Sequence, residues 1–172
     1  PLDHRPERHE LDVEVVLHGD GPLSTWAGAA RPGDEVAMSG PGRGHEVDPS
    51  ASEHLLAGDE SALPAIGVLL AAIGGGAAVH VLVEVEGPEA RLDLDGATSA
   101  RWLVRSAGQA PGDALVEAVT ETEVSAGTRV WAAGEAAAMQ RLRRLLLEER
   151  SMDRRHATIR GYWKVGRASG GS

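Results

Sequence analysis

The stretch His54-Leu55-Leu56-Ala57-Gly58-Asp59-Glu60-Ser61-Ala62-Leu63-Pro64 decides the fold, together with Gly74-Gly75-Gly76 and Ala78-Val79-His80-Val81-Leu82-Val83-Glu84-Val85 downstream of it. A short apolar run enters a glycine-bearing loop, an apolar helix fills 62–73, the glycine triplet closes it, and a strongly β-forming run occupies 78–85. Further along, β-forming runs at 101–104, 129–133 and 158–165 alternate with helical patterns at 114–124 and 135–150. The second helical pattern places Ala138, Met139, Leu142, Leu145 and Leu146 on one face. Strands separated by helical stretches of ~10–15 residues imply right-handed crossovers and a parallel sheet covered on both sides. Residues 50–172 are therefore predicted to form one α/β domain.

Upstream the pattern changes. Leu11, Val13, Val15 and Leu17 alternate with Asp12, Glu14 and His18, the period of a half-buried strand. A turn follows at Gly19-Asp20-Gly21-Pro22, then a short helix from Leu23 that Ser24 or Thr25 can cap, the turn Arg31-Pro32-Gly33-Asp34, and a short strand over 35–39. Gly40-Pro41-Gly42-Arg43-Gly44 breaks regular structure, and residues 1–49 are taken as a separate domain. Two strands and a helical turn cannot close a barrel, so this segment is expected to be part of something larger. Its open strand edges would invite pairing with a second copy, a homodimer.

The 172 residues contain no Cys, which excludes disulfides, thiolate zinc sites, cysteine-ligated iron–sulfur clusters and a cysteine nucleophile. No apolar run approaches the ~20 residues of a membrane helix. No leader-like segment opens the chain, so a cytoplasmic location is expected, and Pro1 in place of Met predicts further residues upstream. The net charge of −9 is uneven: 141–172 hold nine basic and three acidic groups, and the first 140 residues eight basic and 23 acidic. Such a surface repels nucleic acid, while the basic end could gather a small anion.

The candidate chemistry lies in loops. Gly58, Asp59, Glu60, Ser61 and Ala62 lie between a strand and a helix N-terminus, where free N–H groups favour phosphate, and Gly134 with Glu135 repeats that architecture later. The alternative at both is plain helix capping by the acidic and hydroxyl side chains. Gly21, Ser24 and Thr25 offer a second, weaker phosphate cradle. Near the end, Tyr162 and Trp163 adjoin Arg160 and Lys164, a group suited to a flat or anionic ligand or to covering a sheet edge. The seven His show no metal spacing, and no G-x-S-x-G elbow holds a nucleophilic Ser.

In order and spacing these pieces resemble the siderophore-interacting protein family, flavin-dependent ferric-siderophore reductases related to the ferredoxin reductases. The resemblance rests on Val16-Leu17-His18-Gly19, Gly21-Pro22-Leu23-Ser24-Thr25-Trp26-Ala27, Arg31-Pro32-Gly33-Asp34, the run from Ala57 to Ile66, Val130-Trp131-Ala132-Ala133-Gly134-Glu135 and Gly161-Tyr162-Trp163. It implies that the first segment is part of an antiparallel FAD-binding β-barrel, with His18, Gly21, Ser24 and Thr25 against the flavin cofactor's phosphates. It further implies a ferredoxin-reductase-like NAD(P)H domain from about residue 50, with Gly58 to Ala62 under the pyrophosphate and Gly134 and Glu135 near the nicotinamide. Trp163 would lie near the flavin, and Arg160 and Lys164 would face a ferric siderophore. The coenzyme, NADPH or NADH, stays open: Arg101, Arg105 or Arg129 could meet a 2′-phosphate, and Glu84 or Glu86 a ribose hydroxyl. The family's R-x-Y-T motif, which precedes the strand beginning at Leu11, is not present in this sequence. Two further readings therefore stand beside the reductase: a shortened, flavin-free nucleotide-binding or interaction module, and a flavin enzyme with another acceptor, such as a free flavin, a quinone or a small protein.

Overall fold

A computed structural model of the chain describes residues 3–13, 15, 22–37 and 45–166. The chain divides into two compact units, the first taking in residues up to His45 together with those from Gly166, the second Glu46–Val165. Among the described residues no helix is long and apolar enough to cross a membrane.

In the first unit, β1 (Asp3–Arg5) and β2 (Glu10–Asp12) form an antiparallel hairpin. Arg5 reaches across it to Glu10 and Asp12 at 3.0 and 2.9 Å. An eight-residue helix, α1 (Pro22–Ala29), follows with no buried residue. Its first position suits Pro22, whose missing N–H would be unpaired there in any case. Of the strand expected over 11–17, Leu11 and Asp12 belong to β2, Val13 is exposed and outside it, and residues 14, 16 and 17 lie outside the described residues. Residues 35–37 are not a strand either: all three are exposed, Val36 among them, so no apolar side chain there is buried to hold a strand in place. His18 and Gly21 lie outside the described residues, as do 38–44. The described hairpin and helix do not make up a barrel.

The second unit is a five-stranded, all-parallel sheet in the order β5-β4-β3-β6-β7. Its strands are β3 (Glu53–Asp59), β4 (Ala78–Val85), β5 (Ser99–Val104), β6 (Arg129–Glu135) and β7 (Ala157–Trp163). The helices α2 (Leu63–Ile73), α3 (Asp113–Glu121) and α4 (Ala136–Arg144) make three of the crossovers, and a loop with one 3₁₀ turn (Pro88–Ala90) joins β4 to β5. Alternation along the strands feeds two cores. Leu56, Val79, Val81, Val83 and Trp131 pack with Ile66, Leu69 and Leu70 of α2. Leu55, Leu82, Val130, Ala132 and Ile159 pack with Leu115 and Val119 of α3 and Met139 and Leu142 of α4. Both faces are thus covered by helices, the arrangement expected of near-continuous apolar strands.

The chain runs outward from β3 to β4 and β5, then returns to the other side of β3 to add β6 and β7. That reversal lies between β3 and β6. In open α/β sheets, ligands bind beyond the carboxyl ends of the strands at such a reversal.

Candidate functional site

Gly58 pairs in register with Ala133, so the bends after β3 and β6 emerge side by side at one rim. Only small residues permit this. A Cβ on Gly58 would lie 2.4 Å from the Ala62 Cβ and 2.7 Å from the Ala133 carbonyl oxygen, and one on Gly134 would lie 2.5 Å from Asp59 Oδ2. The two glycines allow the close backbone approach on which the rim depends.

The Asp59 carboxylate, 5% exposed, clasps the rim. Its Oδ1 accepts from the Ser61 amide at 3.0 Å and the Ser61 hydroxyl at 2.5 Å, which caps the 3₁₀ turn (Glu60–Ala62) leading into α2. Its Oδ2 accepts from the Glu135 amide at 3.0 Å and the Trp163 indole Nε1 at 2.8 Å. One side chain thereby joins the ends of β3, β6 and β7. Charge-assisted bonds of this kind are the strong ones, and four of them satisfy a buried carboxylate.

Glu135, 4% exposed, caps α4 by accepting from the amides of Ala137 at 2.6 Å and Ala138 at 3.0 Å, and its other oxygen accepts from the Val165 amide at 3.4 Å. Glu60 accepts from the Glu86 amide at 2.5 Å, tying the β3 bend to the end of β4. The side chains of Asp59, Glu60 and Glu135 therefore build the rim. What they leave toward a ligand is backbone, the exposed Ser61, and the small residues Ala136 and Ala137.

β7 carries a bulge at the rim: Gly134 faces Gly161 but Glu135 faces Trp163, so Tyr162 is the extra residue. Its ring meets Trp131 edge to face at 6.3 Å, and burial pushes its hydroxyl above the usual tyrosine range. The bulge re-aims the strand so that Trp163 reaches Asp59. Arg160, at the register of Ala133, and Lys164 are exposed beside it. Much of the C-terminal basic charge is otherwise engaged: Arg141 pairs with Asp113 at 2.7 Å, Arg143 donates to the Ile159 carbonyl at 2.5 Å, and Arg150 donates to the carbonyls of Thr120 and Thr122.

Glu84 escaped the sequence reading as a structural group. Its side chain is fully buried and accepts from the amides of Gly112 at 2.7 Å and Leu115 at 3.1 Å at the start of α3, with Arg105 at 3.5 Å. A single acid in the run Val83-Glu84-Val85 was the available signal.

This rim suits a dinucleotide. It is lined by Gly and Ala and sits at the topological switch beside the starts of α2 and α4, and a flat polyphosphate could approach its backbone. For a flavin, the first unit offers the first turn of α1, with Ser24 half-buried and Thr25 exposed. That donor chemistry fits a phosphate.

Residues 51–166 match the family model for siderophore-interacting proteins, and residues 1–45 match that for the siderophore-interacting FAD-binding domain. An uncharacterized protein of Mycobacterium tuberculosis is 40% identical over 92% of this chain and 61% of its own length. The ferric vibriobactin reductase ViuB of Vibrio cholerae is 32% identical over 95% of this chain and 62% of its own length. The chain thus spans about three-fifths of these curated relatives. The crystal structure of the siderophore-interacting protein SipS from Aeromonas hydrophila superposes with a TM-score of 0.76 at 33% identity, covering 94% of this chain and 70% of that one.

Proposed function

Because the chain belongs to the siderophore-interacting protein family, we propose that it takes part in releasing siderophore-bound iron as Fe(II), as the NAD(P)H-binding portion of a flavin-dependent ferric-siderophore reductase. The observation that carries this reading is the rim itself, where two glycine-bearing bends held together by Asp59 meet at the switch point of a parallel sheet.

In this reading, the backbone of Gly58 to Ala62 holds the pyrophosphate of NADPH or NADH, and Gly134 with Glu135 borders the nicotinamide half. Ser24 and Thr25, together with His18 and Gly21, meet the flavin phosphates. When bound, the flavin supplies the change from one two-electron hydride to two one-electron transfers, each reducing one Fe(III) to Fe(II). No side chain is required as a general acid or base. The protein's work is placement: Asp59 fixes the three strand ends, Trp163 is locked with its indole N–H inward, and Arg160 and Lys164 raise the local concentration of an anionic ferric chelate. Weaker binding of Fe(II) to hard oxygen donors then frees the metal.

The test is spectroscopic. Protein expressed from the complete reading frame should carry flavin absorption, bleach on anaerobic mixing with NADPH or NADH, and recover when a ferric siderophore is added faster than when a quinone is added. Colourless protein of intact mass that binds nucleotide supports the flavin-free module instead. Recovery only with quinone moves the acceptor elsewhere.

A further inference from the structure

A dinucleotide held at the rim would bring its adenosine 2′ position to the carboxyl ends of β4 and β5. Three Arg and two Glu are candidates. Arg129 opens β6 at the opposite, amino end of the sheet, where it pairs with Asp48 at 2.6 Å. Arg101 lies mid-strand in β5 and pairs with Glu121 at the far end of α3. Glu84 is turned inward, its carboxylate fully buried on the α3 amides. Glu86 and Arg105 remain, one residue past the ends of β4 and β5. They are joined there: the Arg105 amide donates to the Val85 carbonyl at 2.9 Å, and its guanidinium lies between Glu84 at 3.5 Å and Glu86 at 3.8 Å.

Three features set the outcome. Arg105 is only 19% exposed and already shared by two carboxylates. Glu86 is 82% exposed, so its carboxylate faces outward as an acceptor. Glu60 fixes the Glu86 backbone to the very bend that would hold the pyrophosphate. In an open α/β sheet an acid at the end of the second strand accepts from the adenosine ribose, whereas a 2′-phosphate needs an uncommitted cation. Here a phosphate would meet Glu86 and Glu60 beside one Arg already shared by two carboxylates.

We propose that Glu86 is the residue that selects the coenzyme, accepting a hydrogen bond from the adenosine 2′-hydroxyl, and that the chain consequently favours NADH over NADPH. This rests on the dinucleotide reading of the rim. A charge-assisted bond gained and a like-charge contact avoided correspond to about tenfold or more in affinity.

The experiment is calorimetric binding of four probes to the chain: NADH, NADPH, 5′-AMP and 2′,5′-ADP. NADH should bind about tenfold tighter than NADPH and 5′-AMP tighter than 2′,5′-ADP. Glu86→Gln should narrow both ratios to about threefold or less, chiefly by strengthening the phosphorylated probe, while Glu123→Gln, an exposed acid two residues past the end of α3, should leave them unchanged. The high exposure of Glu86 makes misfolding of that variant a minor concern, and the wild-type ratios test the idea without it. Equal or tighter binding of NADPH, or ratios unmoved by Glu86→Gln, overturns the selection by Glu86 but leaves the dinucleotide site standing. Binding of none of the four overturns the dinucleotide site itself, and the selection with it.

Discussion

Replacing Asp59 by Asn keeps the shape of the rim's clasp and removes its charge. The carboxylate accepts four hydrogen bonds, two from Ser61 and one each from the Glu135 amide and Trp163. An amide oxygen can still serve the buried pair, but its NH2 then faces the Ser61 N–H, donor against donor. Downgrading charge-assisted bonds to neutral ones costs ~0.5–1 kcal/mol each, and the opposed donors add ~1, for a total of about 3 kcal/mol. Because Asp59 is almost wholly buried, no large discount for solvent applies. For a domain of this size that lowers the midpoint of thermal unfolding by roughly 10 °C. Trp163→Phe alone breaks one of the four bonds and should cost ~1–1.5 kcal/mol, yet about half that in the Asp59→Asn background, since the partner is already weakened. Thermal melts followed by circular dichroism on the parent, both single variants and the double variant close the cycle. An Asp59→Asn melt within ~2 °C of the parent, or strictly additive variants, would show that the strand ends are held by something else.

Gly134→Ala forces a methyl to 2.5 Å from Asp59 Oδ2, a carboxylate held by four donors, and should destabilise by ~2–3 kcal/mol, whereas Gly75→Ala enters open space and should be neutral or slightly stabilising in the same urea titration. Glu84→Ala should loosen the start of α3, which faster hydrogen exchange at Gly112 and Leu115 would report, and unchanged exchange there would refute the capping role. Acid should weaken the second unit in two stages, because four groups, His54, Glu53, Asp48 and Asp153, titrate below their ordinary values in the fold. Burial, with Arg129 nearby, holds the His54 imidazole neutral, so its contribution is complete above pH 6.5 and falls as the pH drops below that value. Hydrogen bonds from Thr128 and Ser125 lower Glu53, and those from Ser50 and Arg129 lower Asp48 to about 2, so a second loss begins below about pH 4.5. Urea midpoints measured from pH 8 to pH 3 should show both falls, and His54→Leu should flatten the first.

How much of this was legible in sequence depends on the range of the interactions. The strand 78–85 could be read to its ends because its β-forming run, interrupted only by His80 and Glu84, lies between a glycine triplet and a turn. The rim could be placed because Gly58 and Gly134 each follow a β-forming run and precede a helix. The clasp could not: Asp59 and Trp163 are 104 residues apart, and nothing local to either marks the other as partner. Asp59 was visible only as a cap or as an obstacle to phosphate. The second long helix was expected to run unbroken over 135–150, but its α-helical part ends at Arg144 and a π turn (Leu145–Glu149) follows. That slip follows from burying Leu146 while the Arg150 amide reaches back to the Leu145 carbonyl, a tertiary demand without a local signature. Tyr162 and Trp163 read as an aromatic pair, but the bulge that sends them to different neighbours depends on how β7 meets β6.

The bond from Trp163 to Asp59 also orders events in time. Asp59 emerges early in synthesis of the second unit, yet its last donor arrives only with the final residue of the last strand. Contacts closing so long a loop form late and slowly. A nascent chain can thus assemble the inner strands and both helical layers while its rim still lacks a donor, so the rim's final shape should be among the last features the maturing protein acquires.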